Sequence, residues 1–242
     1  MPAHNPCFSS GEYERYTAPN VLVQECADAR VRQYFPQCSA RRVDVSAPSG
    51  RFDKQYYERF YADPETCSVT GEEVARQIAF VAAYVKHMAL GVRRVLDLGC
   101  GLGMMQAPLL ENFPRATYQG VEFSEYLCEE LGWQRGSVVD YRARTPFDLV
   151  VCHDVIQYLD DHDAERAIDN LASLCRGALY LGVLTAEDWQ ENCDPQRTDN
   201  RVELRTTQWY RTRLARHFVS AGGGVFLKSD APVVLWSLER GA

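Results

Sequence analysis

The strongest constraint on the fold is a regular alternation of short apolar runs with longer amphipathic segments, which begins near residue 94 and continues to about residue 184. The run at residues 147–152 is apolar at all positions but one, which is typical of a strand buried on both faces of a sheet. Residues 160–176 follow with apolar side chains at helical spacing and with Gly177 as a plausible end. Alternation of this kind predicts a doubly wound α/β fold, in which helices cover both faces of a mainly parallel sheet.

The two ends of the chain depart from this alternation. Residues 225–228 and 233–238 are predicted to form the last two strands, and the link between them, residues 229–232, is too short for a crossover. An antiparallel hairpin is therefore predicted, with residues 222–224 as its glycine-rich approach. Residues 1–50 are polar and interrupted by Pro and Ser, which indicates a short N-terminal extension ahead of one domain over residues 51–242.

Composition excludes several classes of function. The net charge of -7 argues against nucleic acid, because such partners are usually bound by a basic patch. The nine cysteines contain no C-x-x-C pair and are irregularly spaced, so we expect reduced thiols and no metal site. No apolar run reaches 18 residues and the start does not resemble a signal peptide. A cytoplasmic protein without a membrane span is therefore expected.

The first strand of the alternating region runs into a glycine-rich turn, VLDLGCGLG at residues 95–103. Glycines at alternate positions allow a sharp turn and a close approach of the backbone to a ligand. The dinucleotide fingerprint G-x-G-x-x-G requires a glycine where Met104 stands, and Asp97 suits a cationic amino acid group better than a pyrophosphate. An ordinary turn between strand and helix is the alternative. The turn predicts a ligand site at the carboxyl edge of the sheet.

This turn resembles motif I of the class I methyltransferases that use S-adenosylmethionine (SAM), and the chain is similar to bacterial members that act on small molecules. The resemblance implies a seven-stranded sheet of order 3-2-1-4-5-7-6 with strand 7 antiparallel, plus an N-terminal helical extension. It implies that Gly99, Cys100, Gly101 and Gly103 line the methionine end of SAM. It also implies that Asp97 orients the amino group of SAM.

Further cofactor contacts are expected where the next two strands end. Glu122 is expected to accept hydrogen bonds from both ribose hydroxyls, and Phe123 to cover the adenine. A third strand at residues 137–140 would place Asp140 near the adenine amino group and the amide of Val139 beside it. A solvated loop glutamate and a turn aspartate are the alternatives, and the short link at residues 141–146 leaves little room for a crossover helix.

The end of the fourth strand resembles motif IV and brings His153 and Asp154 to the reacting groups. His153 is a candidate general base, because an imidazole titrates near neutral pH. Asp154 beside it is the second catalytic candidate. The alternative is that His153 contacts SAM through its backbone alone.

Acceptor contacts are expected from two further segments. An aromatic helical face within residues 52–61 resembles the lid helices of small-molecule methyltransferases, although a helix simply packed on the sheet has the same pattern. The charged loop at residues 185–205 is long and without pattern, and it leaves the carboxyl end of a strand. The candidate substrate-binding residues are Tyr57, Tyr61, Trp189, Arg197 and Tyr210.

The sequence therefore predicts a SAM-dependent methyltransferase that acts on an O or N atom of a small molecule. Two alternatives stay open: a non-catalytic module that binds SAM or a partner, and an enzyme resembling the aminopropyltransferases. The identity of the acceptor and the oligomeric state, with a homodimer as one option, are not determined by the sequence.

Overall fold

A computed structural model describes residues 51–240, and the predicted extension at residues 1–50 lies outside this range. At its centre is a seven-stranded sheet of order β3-β2-β1-β4-β5-β7-β6. The strands are β1 (Arg94–Leu98), β2 (Thr117–Glu122), β3 (Gln134–Arg135), β4 (Phe147–His153), β5 (Cys175–Gly182), β6 (Phe218–Gly222) and β7 (Val225–Lys228). Strands β1 to β5 pair in parallel, and β7 is antiparallel to both β5 and β6. The predicted fold class and strand order are confirmed.

The helices surround this sheet. They are α1 (Lys54–Tyr57), a π-helical turn (Glu58–Ala62), α2 (Gly71–His87), α3 (Gln106–Asn112), α4 (Glu125–Leu131), a 3-10 turn (Ile156–Tyr158), α5 (Asp161–Leu174), α6 (Ala186–Glu191) and α7 (Thr207–Leu214). Helix α2 begins with a capping box, in which the Thr70 hydroxyl accepts from the Glu73 amide and Glu73 Oε2 accepts from the Thr70 amide. Among the described residues, no helix is long and apolar enough to cross a membrane.

The core has two layers, one on each face of the sheet. Leu149 and Val151 of β4 belong to the layer that contains residues of α2 such as Ile78, whereas Val150 belongs with Ile168 of α5 to the other layer. Strand β4 is therefore buried on both sides, which accounts for its nearly continuous apolar sequence. This burial fixes the carboxyl ends of β1 and β4, the edge at which the site lies.

The last hairpin differs from the prediction. It joins β6 to β7 through Gly223 and Gly224 rather than through residues 229–232, and residues 233–238 form no strand. Gly222, Gly223 and Gly224 all have positive φ angles, which suit glycine at a tight turn. The three glycines are thus the turn itself, and interpreting them as an approach to the hairpin was wrong.

Three other boundaries were also predicted incorrectly. Strand β3 is Gln134–Arg135, and residues 137–140 form a turn in which the Tyr141 amide donates to the Ser137 carbonyl. Gly177 lies inside β5, where a Cβ would come within 2.3 Å of the Asp148 carbonyl, so it permits close strand packing instead of ending a helix. The loop at residues 185–205 contains helix α6, whose N-terminus is capped by Thr185.

Candidate functional site

The glycine turn after β1 opens the carboxyl edge of the sheet. A Cβ on Gly99 would lie 2.3 Å from Val155 Cγ2, and one on Gly103 would lie 2.6 Å from the Trp133 ring. A Cβ on Gly101 would meet nothing within 4 Å, although its φ angle of 52° is also positive. Gly99 and Gly103 are therefore required by packing, whereas Gly101 leaves open space where a ligand can approach the backbone.

A cleft of about 520 Å³ lies beside this turn. It is lined by Tyr61, Val69, Val74, Gln77, Asp97, Gly99, Cys100, Gly101, Leu102, Met104, Met105, His153 and Asp154. The lining thus includes five of the ten residues predicted to bind the cofactor, one of which, His153, is also a catalytic candidate, and it includes the other catalytic candidate, Asp154. Among residues 51–240, the ionisable side chains of the lining are those of two aspartates and one histidine, together with Tyr61 and Cys100, and no Lys or Arg belongs to it.

Asp97 is a buried carboxylate, with only 3% of its surface exposed. Burial raises its pKa to about 6, although a hydrogen bond from the Tyr118 hydroxyl to Oδ2, at 2.7 Å, acts in the opposite direction. The side chain that is hydrogen-bonded to this carboxylate is therefore a neutral phenol and not a cation. A cationic group entering the cleft would find a carboxylate that water solvates poorly, and electrostatic attraction would be strong there.

Glu122 ends β2 and is held by backbone amides. Its Oε2 accepts from the Gly101 amide at 2.8 Å, and Oε1 accepts from the amides of Phe123 and Ser124 at 2.9 and 2.8 Å. A carboxylate has about four acceptor sites, so capacity remains for a ligand hydroxyl. Phe123 is 58% exposed next to it, which leaves the ring free to cover a flat group.

Val139 and Asp140 lie in the turn after β3 and not on a strand. Val139 is buried and its amide donates to Ser137 Oγ at 3.2 Å, while Asp140 is exposed. Their predicted adenine contacts stay predictions, since neither residue lines the cleft.

Trp133 is a residue of the site that no sequence motif indicated. Its Nε1 donates to the Gly101 carbonyl at 2.9 Å, and its ring packs against Gly103 and Gly120. The indole thereby fixes the turn from outside the cleft. A lone tryptophan after Gly132, which ends α4, carries no local signal for this role.

His153 and Asp154 form an ion-paired couple at the end of β4. His153 Nδ1 lies 2.9 Å from Asp154 Oδ2, and the ring rests on Gly182, where a Cβ would come within 2.2 Å. Burial alone would lower the pKa of His153, but the hydrogen bond and charge of Asp154 outweigh it and the pKa is raised. Asp154 has a φ angle of 57°, which is uncommon for a non-glycine residue and typical of functional positions.

An aromatic segment covers the cleft. Tyr61 lines it, the Ser124 hydroxyl donates to the Phe52 carbonyl at 2.6 Å, and the hydroxyls of Tyr56 and Tyr158 lie 2.8 Å apart. Tyr57 is buried within the same segment. Residues 52–61 therefore bridge the ends of β2 and β4 as a roof over the carboxyl edge.

The loop at residues 185–205 is attached at both ends. Thr185 pairs with Arg205 at its base, and farther out Arg197 Nε donates to the Cys67 carbonyl at 2.8 Å. Trp189 is half-buried in α6. Tyr210 is only 3% exposed and packs in the core around α7, so it does not line the cleft.

Comparison with known proteins agrees with this architecture. Residues 96–177 match the family model of a methyltransferase domain. The magnesium protoporphyrin IX methyltransferase (ChlM) of Synechocystis PCC 6803 with bound SAH has a similar fold, with a TM-score of 0.51 and 19% identity over 74% of this chain and 96% of that chain. DesVI of Streptomyces venezuelae also has a TM-score of 0.51, with 15% identity over 65% and 92% of the two chains. Residues 96–177 are thus similar to a methyltransferase domain, and the chain shares the fold of these methyltransferases.

The curated proteins that the sequence resembles share one name. Trans-aconitate 2-methyltransferase of Pseudomonas aeruginosa (strain UCBPP-PA14) is 32% identical over 154 residues, which cover 61% of this chain and 49% of the relative. The protein of the same name from Azoarcus sp. (strain BH72) is 32% identical over 75 residues, or 28% and 30% of the two chains. The chain thus spans about half the length, or less, of these curated relatives.

Proposed function

We propose that this chain binds SAM in the cleft and transfers its methyl group to an O or N atom of a small-molecule acceptor. The observation that carries the proposal is the opening at Gly101, which lines the cleft with the buried carboxylate Asp97 and donates its amide to the buried carboxylate Glu122. When bound, SAM supplies a methyl group on a positively charged sulfur. Structural neighbours of this fold include methyltransferases with bound SAM or SAH.

The residues at the glycine turn fit the amino acid end of SAM. Asp97 offers a desolvated carboxylate to its ammonium group. Gln77 lines the same cleft, and its Oε1 is a buried acceptor that has no hydrogen-bond partner within the described part of the chain. The Gln77 amide can accept from an ammonium group and donate to a carboxylate, so it matches both charged groups of an amino acid.

The residues after β2 fit the nucleoside end. Glu122 keeps acceptor capacity for a ribose hydroxyl while three amides fix its position. Phe123 is exposed beside it for contact with the adenine, and Val139 and Asp140 are proposed to contact the adenine edge.

The chemical work of the protein is alignment, exclusion of water and proton transfer. The roof segment places Tyr61 over the cleft, which limits access of water to the reacting groups. His153 accepts the proton of the acceptor, and Asp154 orients the imidazole through Nδ1 and stabilises its charged form. The names of the relatives, a trans-aconitate and a protoporphyrin methyltransferase, support an acceptor of small size.

A calorimetric titration tests the cofactor. SAM and SAH are expected to bind with affinities on the order of micromolar, NAD is not, and Glu122→Ala weakens SAM by roughly tenfold or more, as loss of hydrogen bonds to a charged group predicts. Glu125→Ala is the matched control, because Glu125 is exposed and pairs with Arg135. Folded wild-type protein, free of carried-over ligand, that binds neither SAM nor SAH would reject the proposal. SAM binding without methyl transfer to any acceptor would favour a non-catalytic module instead.

A further inference from the structure

Two buried carboxylates of the sheet differ in the donors that hold them. Asp148, on β4, accepts from two backbone amides at 2.8 and 2.9 Å and from Arg176 Nε at 2.7 Å. Burial would raise the pKa of Asp148, but Arg176 and the amides outweigh it and the pKa is lowered. Asp97, on β1, has one donor within the described part of the chain, the Tyr118 hydroxyl at 2.7 Å from Oδ2. Because buried carboxylates are normally well supplied with donors, Asp97 is left with capacity for another one.

The second oxygen of Asp97 belongs to the cleft. Asp97 lines the cleft, and no hydrogen bond to its Oδ1 is present in the described part of the chain. Oδ1 is not sealed from solvent either, since the enclosed side-chain atoms without a partner in that part of the chain are those of Gln77, Gln157 and Asp199. Oδ1 is therefore the carboxylate oxygen that a group in the cleft can reach.

Tyr118 is placed for its contact by the strand register. Asp97 lies opposite Gly120 in the parallel pair of β1 and β2, and Tyr118 stands two residues earlier on β2, on the same face of the sheet. Gly120 has no side chain to reach the carboxylate, and the Tyr118 hydroxyl does so instead. The half-buried Tyr118 ring packs against the core layer that contains residues of α2, with its centroid 6.4 Å from that of Trp133. Burial and the charge of Asp97 raise the pKa of this phenol, so its hydroxyl stays protonated and acts as a donor.

A phenol fixes the carboxylate without neutralising it. No Lys or Arg among the described residues lines the cleft. The neighbours contributed by α2 and by the turn before α3 do not titrate; they are Val74, Gln77, Met104 and Met105. A lysine or arginine in place of Tyr118 would satisfy the charge of Asp97 with a charge-assisted hydrogen bond. The phenol holds one oxygen and leaves that charge for a cation that enters the cleft.

The titratable groups around Asp97 are few. Beside burial and the hydrogen bond from Tyr118, its pKa responds to two charges, that of Glu122, which raises it, and that of His153, which lowers it. The thiols of Cys100 and Cys152 are also close, but burial raises their pKa values and they stay neutral.

We infer that Tyr118 is a positioning residue for the cofactor, because its hydroxyl fixes Oδ2 of Asp97 and thereby presents Oδ1 to the ammonium group of SAM. This inference rests on the proposed function, in which Asp97 binds that ammonium group. Tyr118 is not part of the cleft lining, so it acts through Asp97. Loss of the hydroxyl should therefore weaken ligands that carry the amino acid end and spare ligands that lack it.

Calorimetry with two ligands tests this distinction in the full chain. SAH carries the amino acid end, whereas 5′-methylthioadenosine lacks it. Tyr118→Phe is expected to raise the Kd for SAH by about fivefold or more at pH 7, as loss of a hydrogen bond to a charged group predicts, and to change the Kd for methylthioadenosine by less than about twofold. Tyr84→Phe is the matched control, since it loses a hydroxyl bond of 2.6 Å to the Ala221 carbonyl outside the cleft lining. It should change neither value.

Two results would overturn the inference and leave the proposed function standing: an unchanged Kd for SAH in Tyr118→Phe, or an equal loss of both ligands, which would mean a general packing defect. Wild-type protein that binds neither SAM nor SAH would overturn the proposed function together with the inference.

The pH dependence of SAH affinity is a readout that a packing defect would not move. A protonated Asp97 attracts an ammonium group only weakly, so wild-type affinity should fall as the pH decreases through about 6. The hydrogen bond from Tyr118 lowers this pKa, and in Tyr118→Phe the fall should therefore begin at a pH higher by about 0.5 or more. Titration of Glu122 and His153 is common to both proteins, so the difference between the two profiles belongs to Asp97. Identical profiles would contradict the role of Tyr118.

A double-variant cycle shows whether Tyr118 acts through Asp97. In the Asp97→Asn background, Tyr118→Phe should change the Kd for SAH by less than about twofold, because the charge that the hydroxyl positions is already gone. The full loss in that background would mean that Tyr118 affects the cofactor by another route, and the inference would be wrong.

Discussion

The two halves of the carboxyl edge are built differently. The half at β1 and β2 is formed by continuous segments, residues 97–103 and 118–124, and the oxygens of Glu122 there are bonded to the backbone. The half at β4 is assembled from the roof segment, the turn after β4 and the loop at residues 185–205. Two buried oxygens of these segments, Gln157 Oε1 and Asp199 Oδ2, have no hydrogen-bond partner among residues 51–240. A shared cofactor requires a fixed site, whereas an acceptor site varies with its substrate. The first half is therefore expected to control cofactor affinity, and the second to control turnover and acceptor choice.

The largest effect that separates the halves is expected at His153. His153→Asn removes the proposed base, and general-base catalysis contributes about 10²–10⁴-fold, so kcat should fall by about 10² or more. The Kd for SAM should change less than about threefold, because His153 lies in the acceptor half. Single-turnover transfer and calorimetry measure the two values. Unchanged kcat over the whole pH range would show that the acceptor loses its proton without this residue.

The glycine turn gives the second comparison. Gly99→Ala places a Cβ 2.3 Å from Val155, so it should lower the free energy of unfolding by about 2–4 kcal/mol from steric overlap added to the cost of a positive φ. Gly101→Ala meets no atom and should cost only about 1–2 kcal/mol. SAM affinity should nevertheless fall more for Gly101→Ala. Denaturant unfolding with calorimetry checks both, and equal loss of affinity would contradict the division between packing and ligand approach.

Asp97 provides the third comparison, through pH. Its pKa is about 6 in the folded protein and near 3.8 when unfolded, so the folded state binds more protons between these values. Stability therefore falls as pH rises from about 4 to 6, by at most about 3 kcal/mol. Asp97→Asn should remove this slope and be more stable than wild type above pH 6, while it loses affinity for SAM. Urea unfolding at pH 4 and pH 7 measures the slope, and Glu122→Gln is the comparison variant. A wild type whose stability does not decline over this range would contradict the burial argument.

The same division explains what the sequence could predict. The turn at residues 95–103 is a local pattern that can be recognised in a single segment, and the strand order was implied by the family resemblance that this turn carries. Trp133 and Gln157 act through partners that are 32 and 3 residues away, and no motif in the sequence marks either contact. Residues 137–140 were predicted to form a strand, but Val138 and Val139 are buried residues within a turn. At Gly222–Gly224 the sequence did contain a turn signal, but the hairpin turn was predicted at residues 229–232.

The smallest effect is expected at the contact that fastens the roof to the acceptor half. Tyr56 and Tyr158 share a hydroxyl contact of 2.8 Å, and a neutral hydrogen bond contributes about 0.5–1.5 kcal/mol. Tyr56→Phe and Tyr158→Phe should each lower the free energy of unfolding by about this amount, and the double variant should lose little more than either single one. The coupling in this cycle is the sensitive quantity, because it isolates the contact from the packing of the rings. Strict additivity would mean that the roof is held by the rings and by the bond from Ser124 to the Phe52 carbonyl alone, and the roof would then depend on the cofactor half for its position.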